Sequence, residues 1–137
     1  MHLVYVDDSK DGKIICFSAI MIPSEKWLQA FNQLVEMRRI MKERGGVYIK
    51  KELHATDWVG GRGNVSDRTI TRTERVEIFN WILKQIVALP DATILNAYGR
   101  RADEDELFKR LMQRIENTAK KRGSHALVIS DEGKNYD

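Results

Sequence analysis

One cysteine stands among 137 residues. Cys16 therefore has no partner for an internal disulfide, and a Cys-rich zinc site is excluded. No apolar run approaches the ~18 residues that a membrane span requires. The opening, Met1-His2-Leu3-Val4-Tyr5-Val6-Asp7-Asp8, meets acidic residues too early for a signal peptide. These absences predict a cytoplasmic chain with no membrane partner. Charge of one sign is scarce as well. Twenty-three Lys and Arg against 20 Asp and Glu leave a net charge of +3 and a pI near 9.0. That balance permits an anionic partner without demanding one. What remains, 42% hydrophobic and 31% charged residues, is the composition of a soluble globular chain. At this length roughly two-thirds of the unfolded surface can be buried, so a single domain over residues 1–137 is expected.

Leu3-Val4-Tyr5-Val6 is a short β-rich run that ends in two carboxylates. After the polar turn Ser9-Lys10-Asp11-Gly12, the run Lys13 to Ile22 is apolar almost without interruption. It predicts a strand buried on both faces, with Cys16 reduced and buried in it. The short turn makes the two strands an antiparallel hairpin. Pro23-Ser24 opens a helix whose Trp27, Leu28, Phe31, Leu34, Val35 and Met41 form one apolar stripe. Arg38, Arg39, Lys42 and Arg44 suit its C-terminal dipole, and Gly45-Gly46 stop it. The segment from Val47 to Ile70 is the least regular. Thr71-Arg72-Thr73-Glu74 fits a capping box. It opens a second helix with Val76, Phe79, Ile82, Leu83 and Ile86 on one face. A third strand follows at Thr93–Tyr98. A third helix from near Asp103 turns Leu107, Phe108, Leu111, Met112 and Ile115 inward. The last strand is Ala126–Ser130. The order β-β-α-α-β-α-β predicts one α/β sheet, with the helices covering it and right-handed parallel connections between the later strands.

The first strand ends in Asp7-Asp8 and the last in Asp131-Glu132. In sheets of this kind functional sites gather at the carboxyl ends of strands. If those two strands are parallel neighbours, their ends lie about 5 Å apart. Asp7 and Asp131 would then share a divalent cation, and their hard oxygens suit Mg²⁺ or Mn²⁺. The plainer reading is that acids after strands accept backbone hydrogen bonds in turns. Other motifs fail on their spacing. Asp7-x-Ser9-x-Asp11-Gly12 opens like a calcium loop, but Ser18 stands at its twelfth position. A phosphoacceptor receiver domain would continue into a helix, whereas this chain continues into Ile14-Ile15-Cys16-Phe17. The phosphatase pattern needs an Asp where Ser9 stands.

Glu52-Leu53-His54 adds a group that exchanges protons or ligates metal near neutral pH. A lone loop histidine with no role is the alternative. Gly60-Gly61-Arg62-Gly63-Asn64 lacks the Lys-Ser or Lys-Thr of a phosphate-binding loop. It reads first as a plain linker and second as a flap that touches substrate through Arg62. Lys50-Lys51 and Lys120-Lys121-Arg122 read first as solvated helix ends and second as phosphate contacts.

Tyr5-Val6-Asp7-Asp8-Ser9 resembles the Tyr-x-Asp-Glu-Ser opening of the bacterial domain of unknown function 3800 family. The family's further features follow in order: a hydrophobic second strand ending near Pro23, a helix, Glu52-Leu53-His54, and a late strand ending in Asp131-Glu132. The resemblance spans nearly the whole chain, with Asp8 in place of the usual Glu. It implies a ribonuclease H-like mixed sheet, made of an N-terminal antiparallel hairpin and strands joined by helices. It also implies an unfinished C-terminus, because the family continues into helices that carry another acid. Nucleases of that superfamily hold metals with acids at strand ends.

The function expected is Mg²⁺- or Mn²⁺-dependent hydrolysis of phosphodiesters in nucleic acid. Asp7 and Asp131 would ligate metal, Glu52 or Glu132 would complete the shell, and His54 would move a proton. Asp8, Ser9, Arg62 and Lys134 are the candidate substrate contacts. Two other readings stand beside it. One is a non-enzymatic domain that binds nucleic acid or protein through the same acidic cleft. The other is a small-molecule phosphohydrolase.

Overall fold

The structure is a computed structural model and describes residues 1–130. Its strands are β1 (His2–Asp11), β2 (Ile14–Pro23), β3 (Thr93–Arg100) and β4 (Ala126–Ser130). Its helices are α1 (Trp27–Gly45), α2 (Ala55–Val59), α3 (Arg72–Val87) and α4 (Glu104–Lys121). Single turns of 3-10 helix, Ser24–Lys26 and Arg101–Asp103, lead into α1 and α4. The chain divides into two compact units. The first holds Met1–Leu28 and the described residues from Pro90 onward, and the second holds Gln29–Leu89.

The first unit is a four-stranded mixed sheet in the order β3-β2-β1-β4. β1 and β2 pair antiparallel from His2↔Pro23 to Asp11↔Ile14, leaving Gly12-Lys13 as the two-residue turn of a hairpin. This corrects the expectation that the first strand ends in Asp7-Asp8 and turns over Ser9–Gly12: the backbone of Ser9, Lys10 and Asp11 pairs with Cys16, Ile15 and Ile14, so Asp7 and Asp8 lie within the strand. β3 pairs antiparallel with β2, and β4 pairs parallel with β1. β3 and β4 therefore run in the same direction, as expected of strands joined by a helix. They occupy opposite edges, however, and the hairpin lies between them.

One helix, α4, covers one face of this sheet. Leu107, Leu111, Ile115 and Ala119 recur at i, i+4 spacing and pack on Val4, Val6, Ile15, Phe17, Ala19, Met21 and Ala97. Phe17 meets Phe108 edge-on, with ring centroids 5.5 Å apart. Gly99 lets α4 approach β3, since a Cβ there would lie 3.1 Å from Leu107 Cδ1.

The opposite face is open over much of its area, although Ile22 on it is buried and Leu3, Tyr5 and Ile20 are half-buried. Ile14, Ser18, Ile94, Asn96, Tyr98, Leu127 and Ile129 are all exposed on it. This corrects the expectation that β2 is buried on both faces. Its residues alternate, with Ile15, Phe17, Ala19 and Met21 against α4 and Ile14 58% exposed. Cys16 sits on the open side and is only partly buried.

The second unit closes around Met37, Met41, Val47, Trp58, Val65, Ile70 and Ile82. Part of each expected stripe is in this core, Leu34 and Met41 on α1 and Phe79, Ile82 and Ile86 on α3, while the rest of each stripe is not. On α1 the buried line is Ala30, Met37, Met41 and Gly45, while Leu28, Phe31 and Val35 stay exposed. On α3, Arg75 and Ile82 are buried with Ile78, Phe79, Trp81 and Ile86 beside them, while Val76 and Leu83 face solvent. Both helices carry apolar residues on more than one face, so periodicity alone leaves the covered face open. The capping box forms as read: Glu74 N–H donates to Thr71 Oγ1 at 3.2 Å.

The one-sided sheet sets an expected contrast in stability. Leu111 is fully buried, so Leu111→Ala should cost about 2–5 kcal/mol. Ile94→Ala on the open face should cost less than about 1 kcal/mol. Urea unfolding midpoints at unchanged m-value measure both.

Candidate functional site

β1 is a pleated strand, so its side chains alternate between faces. His2, Val4 and Val6 are buried, and Val4 and Val6 meet α4. Leu3, Tyr5, Asp7 and Ser9 therefore share the open face. Asp7 is exposed there, and one of its oxygens accepts the Asp8 backbone N–H at 2.9 Å. In register with it across the sheet stand Ser18 on β2 and Asn96 on β3. The Ser18 hydroxyl donates to Asn96 Oδ1 at 2.7 Å. Asp7, Ser18 and Asn96 thus form a polar row across three strands. An apolar row, Tyr5, Ile20 and Ile94, runs on one side of it. Ser9, Cys16 and Tyr98 run on the other. Tyr5 is held in place by Trp27, whose Nε1–H donates to the Tyr5 hydroxyl at 2.7 Å. Sequence reading found Asp7 and Ser9 but missed Ser18, Asn96 and Tyr98. The hairpin register identifies Ser18 once the turn is known. Asn96 requires the β2–β3 register, which no local pattern announces.

Asp8 takes the other side of the strand. Lys10 Nζ lies 3.6 Å from Asp8 Oδ2 and 3.2 Å from Glu104 Oε1, joining the end of β1 to the start of α4. The parallel pairing of β1 with β4 runs from His2↔Ala126 to Val6↔Ser130 and so ends one residue before Asp7. Asp131, Glu132 and Lys134 lie outside the described residues. Among the described residues no group of three or more His, Cys, Asp or Glu side chains is arranged to hold a metal ion. Asp7 supplies one carboxylate, the hard-oxygen donor that Mg²⁺ and Mn²⁺ take.

Glu52 and His54 belong to the second unit. Glu52 Oε2 and His54 Nε2 are 3.8 Å apart, and both side chains are well exposed. His54 precedes α2, and its carbonyl accepts the Trp58 N–H at 2.9 Å. Arg62 pairs with Asp57 at 3.4 Å.

Two arginines hold this irregular segment. Arg38 Nη2 donates to the carbonyls of Tyr48, Ile49 (2.9 Å) and Lys51 (2.7 Å). Burial lowers the Arg38 pKa from its ordinary value. Arg75 is buried on α3, and its guanidinium donates to the carbonyls of Asp57, Trp58, Arg62 and Gly63 at 2.8–3.4 Å. It also lies over the Trp58 ring, 5.3 Å from the centroid, while Trp58 Nε1–H donates to the Arg75 carbonyl at 2.7 Å. Gly61 and Gly63 adopt φ of +74° and +80° to turn the loop around this group, and a Cβ on Gly61 would lie 3.1 Å from Arg72 Cγ. The glycine-rich loop is therefore a cradle for Arg75, not a plain linker. Arg75 falls in helical phase with Ile78 and Ile82, so the spacing marked it. An arginine in a core phase simply reads as an exception.

No helix among the described residues is long and apolar enough to cross a membrane. The chain matches no known family model, no curated protein and no solved structure.

Loss of the Arg75 guanidinium should free the cradle. Arg75→Met is expected to cost about 1–3 kcal/mol and to speed amide hydrogen exchange at residues 57–63. Arg75→Lys should not restore protection, because one ammonium cannot reach four carbonyls in the guanidinium's fork geometry.

A second expectation concerns pH. His2 is buried, with Nδ1 2.9 Å from Ser124 Oγ. Burial, and then the Arg122 charge, push its pKa below 6.5. Below 6.5 the unfolded chain therefore takes up the proton more readily than the folded one. The His2 contribution is complete above that pH and falls as pH drops through it. Thermal unfolding between about pH 7.5 and about pH 5.5 should lose part of its pH dependence in His2→Gln.

Proposed function

We propose that the chain is a divalent-metal-dependent phosphodiester hydrolase acting on nucleic acid. The reading takes its sheet as ribonuclease H-like and keeps the resemblance to the domain of unknown function 3800 family. What supports it is the parallel pairing of β1 with β4, which ends at Val6↔Ser130 just before an exposed carboxylate. The resemblance calls for acids at the carboxyl ends of neighbouring strands, and Asp7 and Asp131 are those acids in this proposal.

Asp7 and Asp131, with Glu132 beside them, would hold Mg²⁺ or Mn²⁺ through hard oxygens. The bound ion would supply a Lewis acid and lower the pKa of water. The Asp7 carboxylate also accepts a backbone N–H, which steadies it before any cation arrives. Ser18 and Asn96, already bonded to each other, give a hydroxyl and an amide on the same face to orient a phosphodiester. The open face beside them admits a polymer, which favours nucleic acid over a small phosphate ester. Cytoplasmic location belongs to the same reading.

The test is cleavage of labelled single- and double-stranded DNA and RNA with Mg²⁺, Mn²⁺ or chelator. Asp7→Asn should abolish metal-dependent cleavage, since the amide keeps the size but loses the charge that holds the ion. Folding should be unchanged, because Asp7 is exposed. His54→Ala is assayed separately, and a proton-transfer role predicts a rate loss of roughly 10²- to 10⁴-fold. Equal activity in wild type and Asp7→Asn, or activity in chelator, would remove the nuclease reading. Binding without cleavage would promote the non-enzymatic module.

A further inference from the structure

The β3 edge of the sheet carries a charge pattern that the proposed catalytic row does not use. α4 lies alongside β3 and runs against it. Arg122 Nη2 donates to Thr93 Oγ1 at 2.8 Å, and Arg114 Nη1 donates to the Asn96 carbonyl at 3.0 Å. Beyond the far end of β3, Arg101 Nη1 donates to the Gly12 carbonyl at 3.3 Å. At ~3.3 Å per residue, the Thr93 and Asn96 anchors are about 10 Å apart along the strand. Arg101 follows the end of β3 and is anchored on the β1–β2 turn, its backbone N–H donating to the Lys13 carbonyl at 2.8 Å.

The charge on these three arginines is available. Each donates to a neutral oxygen, and none is in an ion pair among the described residues. Their neighbours Arg100 and Arg110 are paired, with Asp103 at 3.1 Å and Glu106 at 3.9 Å. Both pairs are exposed, so water and salt screen them. Between β3 and α4 lies a groove of about 450 Å³ lined by Asn96, Tyr98, Leu107, Arg110, Gln113 and Arg114.

Tyr98 supplies the second feature. It stands on the open face of an edge strand, 77% exposed, which is far above what a tyrosine with a packing role shows. Its cross-strand neighbours are Cys16 and then Ser9. It thus flanks the Asp7–Ser18–Asn96 row. Asn96 lies two strand spacings from Asp7, roughly 10 Å.

We infer that this edge binds a single strand of nucleic acid. The phosphates lie against Arg114 and Arg122, and a base stacks on Tyr98. Two requirements of such a partner are met on opposite sides of one strand. Its backbone needs a line of cations. Its unpaired bases need an aromatic surface, which a four-stranded sheet with helices on one side offers on its open face. A duplex keeps its bases stacked and has no use for Tyr98. The inference deepens the proposed nuclease reading by choosing its substrate, and it rests on that reading only for the direction in which the strand continues, toward Asp7.

The test separates binding from cleavage. A fluorescein-labelled oligothymidylate or oligouridylate of about fifteen nucleotides is titrated with the full chain in chelator, followed by anisotropy. A duplex of equal length is the comparison. Both single strands should bind, more tightly than the duplex, and affinity should fall with added salt. Tyr98→Ala should weaken binding by roughly 5- to 100-fold and Tyr98→Phe should retain it. Because the ring is exposed, Tyr98→Ala should fold as wild type does, so its result stands whatever becomes of the other variants. Arg114→Ala and Arg122→Ala should each weaken binding and reduce the salt slope by about 0.7. Two readouts distinguish the two ideas: loss of cleavage in Asp7→Asn tests the catalytic reading, and loss of binding in chelator in Tyr98→Ala tests this one. Preference for the duplex would overturn the inference. So would binding that survives Tyr98→Ala yet fails in the arginine variants, because a surface that reads charge alone suits an acidic peptide equally well.

Discussion

The burial of Val4 and Val6 against α4 decides how the first unit works. Neither side chain has chemistry of its own. A strand alternates its faces, however, so fixing these two residues toward α4 turns Tyr5, Asp7 and Ser9 to the other side. A one-residue slip would send Asp7 into the core and leave valines in water. The energy that prevents the slip comes from the core of the unit, where the fully buried Phe17, Met21 and Leu111 share one cluster with the same two valines. The position of a solvent-exposed carboxylate is thus secured by apolar contacts on the far side of its own strand.

The second unit solves a different problem. Residues 46–70 hold little regular structure, so their carbonyls need donors from elsewhere. Arg38 and Arg75 supply them, one from each of the long helices. A guanidinium suits this task because its donors are rigidly splayed and reach several carbonyls at once. The cost is a cation at 7% exposure whose acceptors are all backbone carbonyls. The Trp58 ring over it offsets part of that cost through its negative face. Glu52 and His54 stand outside this lattice on its exposed margin, and Trp58 ties the backbone of His54 to α2.

Much of the architecture was legible because local and global signals agreed. The antiparallel β1–β2 hairpin, the Thr71 capping box, the inward face of α4 and the strand Ala126–Ser130 each follow from a few neighbouring residues. The failures share a physical origin. The apolar run in β2 is continuous because its two faces are apolar for different reasons: one packs on α4, and the other belongs to an open sheet. Hydrophobicity does not distinguish the two, and Cys16 was assigned to the wrong environment for that reason. The same ambiguity displaced the expected stripes of α1 and α3, where Leu28 and Val76 are as apolar as the residues that are buried. α2 is a single short helix whose Asp57 and Trp58 carbonyls accept from Arg75, eighteen residues after Asp57. Of the candidate site, Asp7 was legible as an acid on the first strand, but not its place within that strand, which runs on through it to Asp11 and pairs it with Ser18. Ser18 and Asn96 were not, because they become neighbours of Asp7 only through pairing across the sheet.

A net charge of +3 describes the whole chain poorly as a guide to partners. The sheet separates its charges instead. Acidic side chains lie at the end of β1, where Asp8 is tied through Lys10 to Glu104 and Asp7 faces the open side. Cations line the β3 edge, where Arg114 and Arg122 are anchored on neutral oxygens. Two strand spacings separate these regions, a distance of roughly 10 Å that is comparable to a Debye length at moderate salt. Each region therefore keeps its own field at the surface. An anionic polymer would be attracted first at the arginine edge. In the proposed reaction it would run from there across two strand spacings toward Asp7, where a bound cation would favour its phosphates.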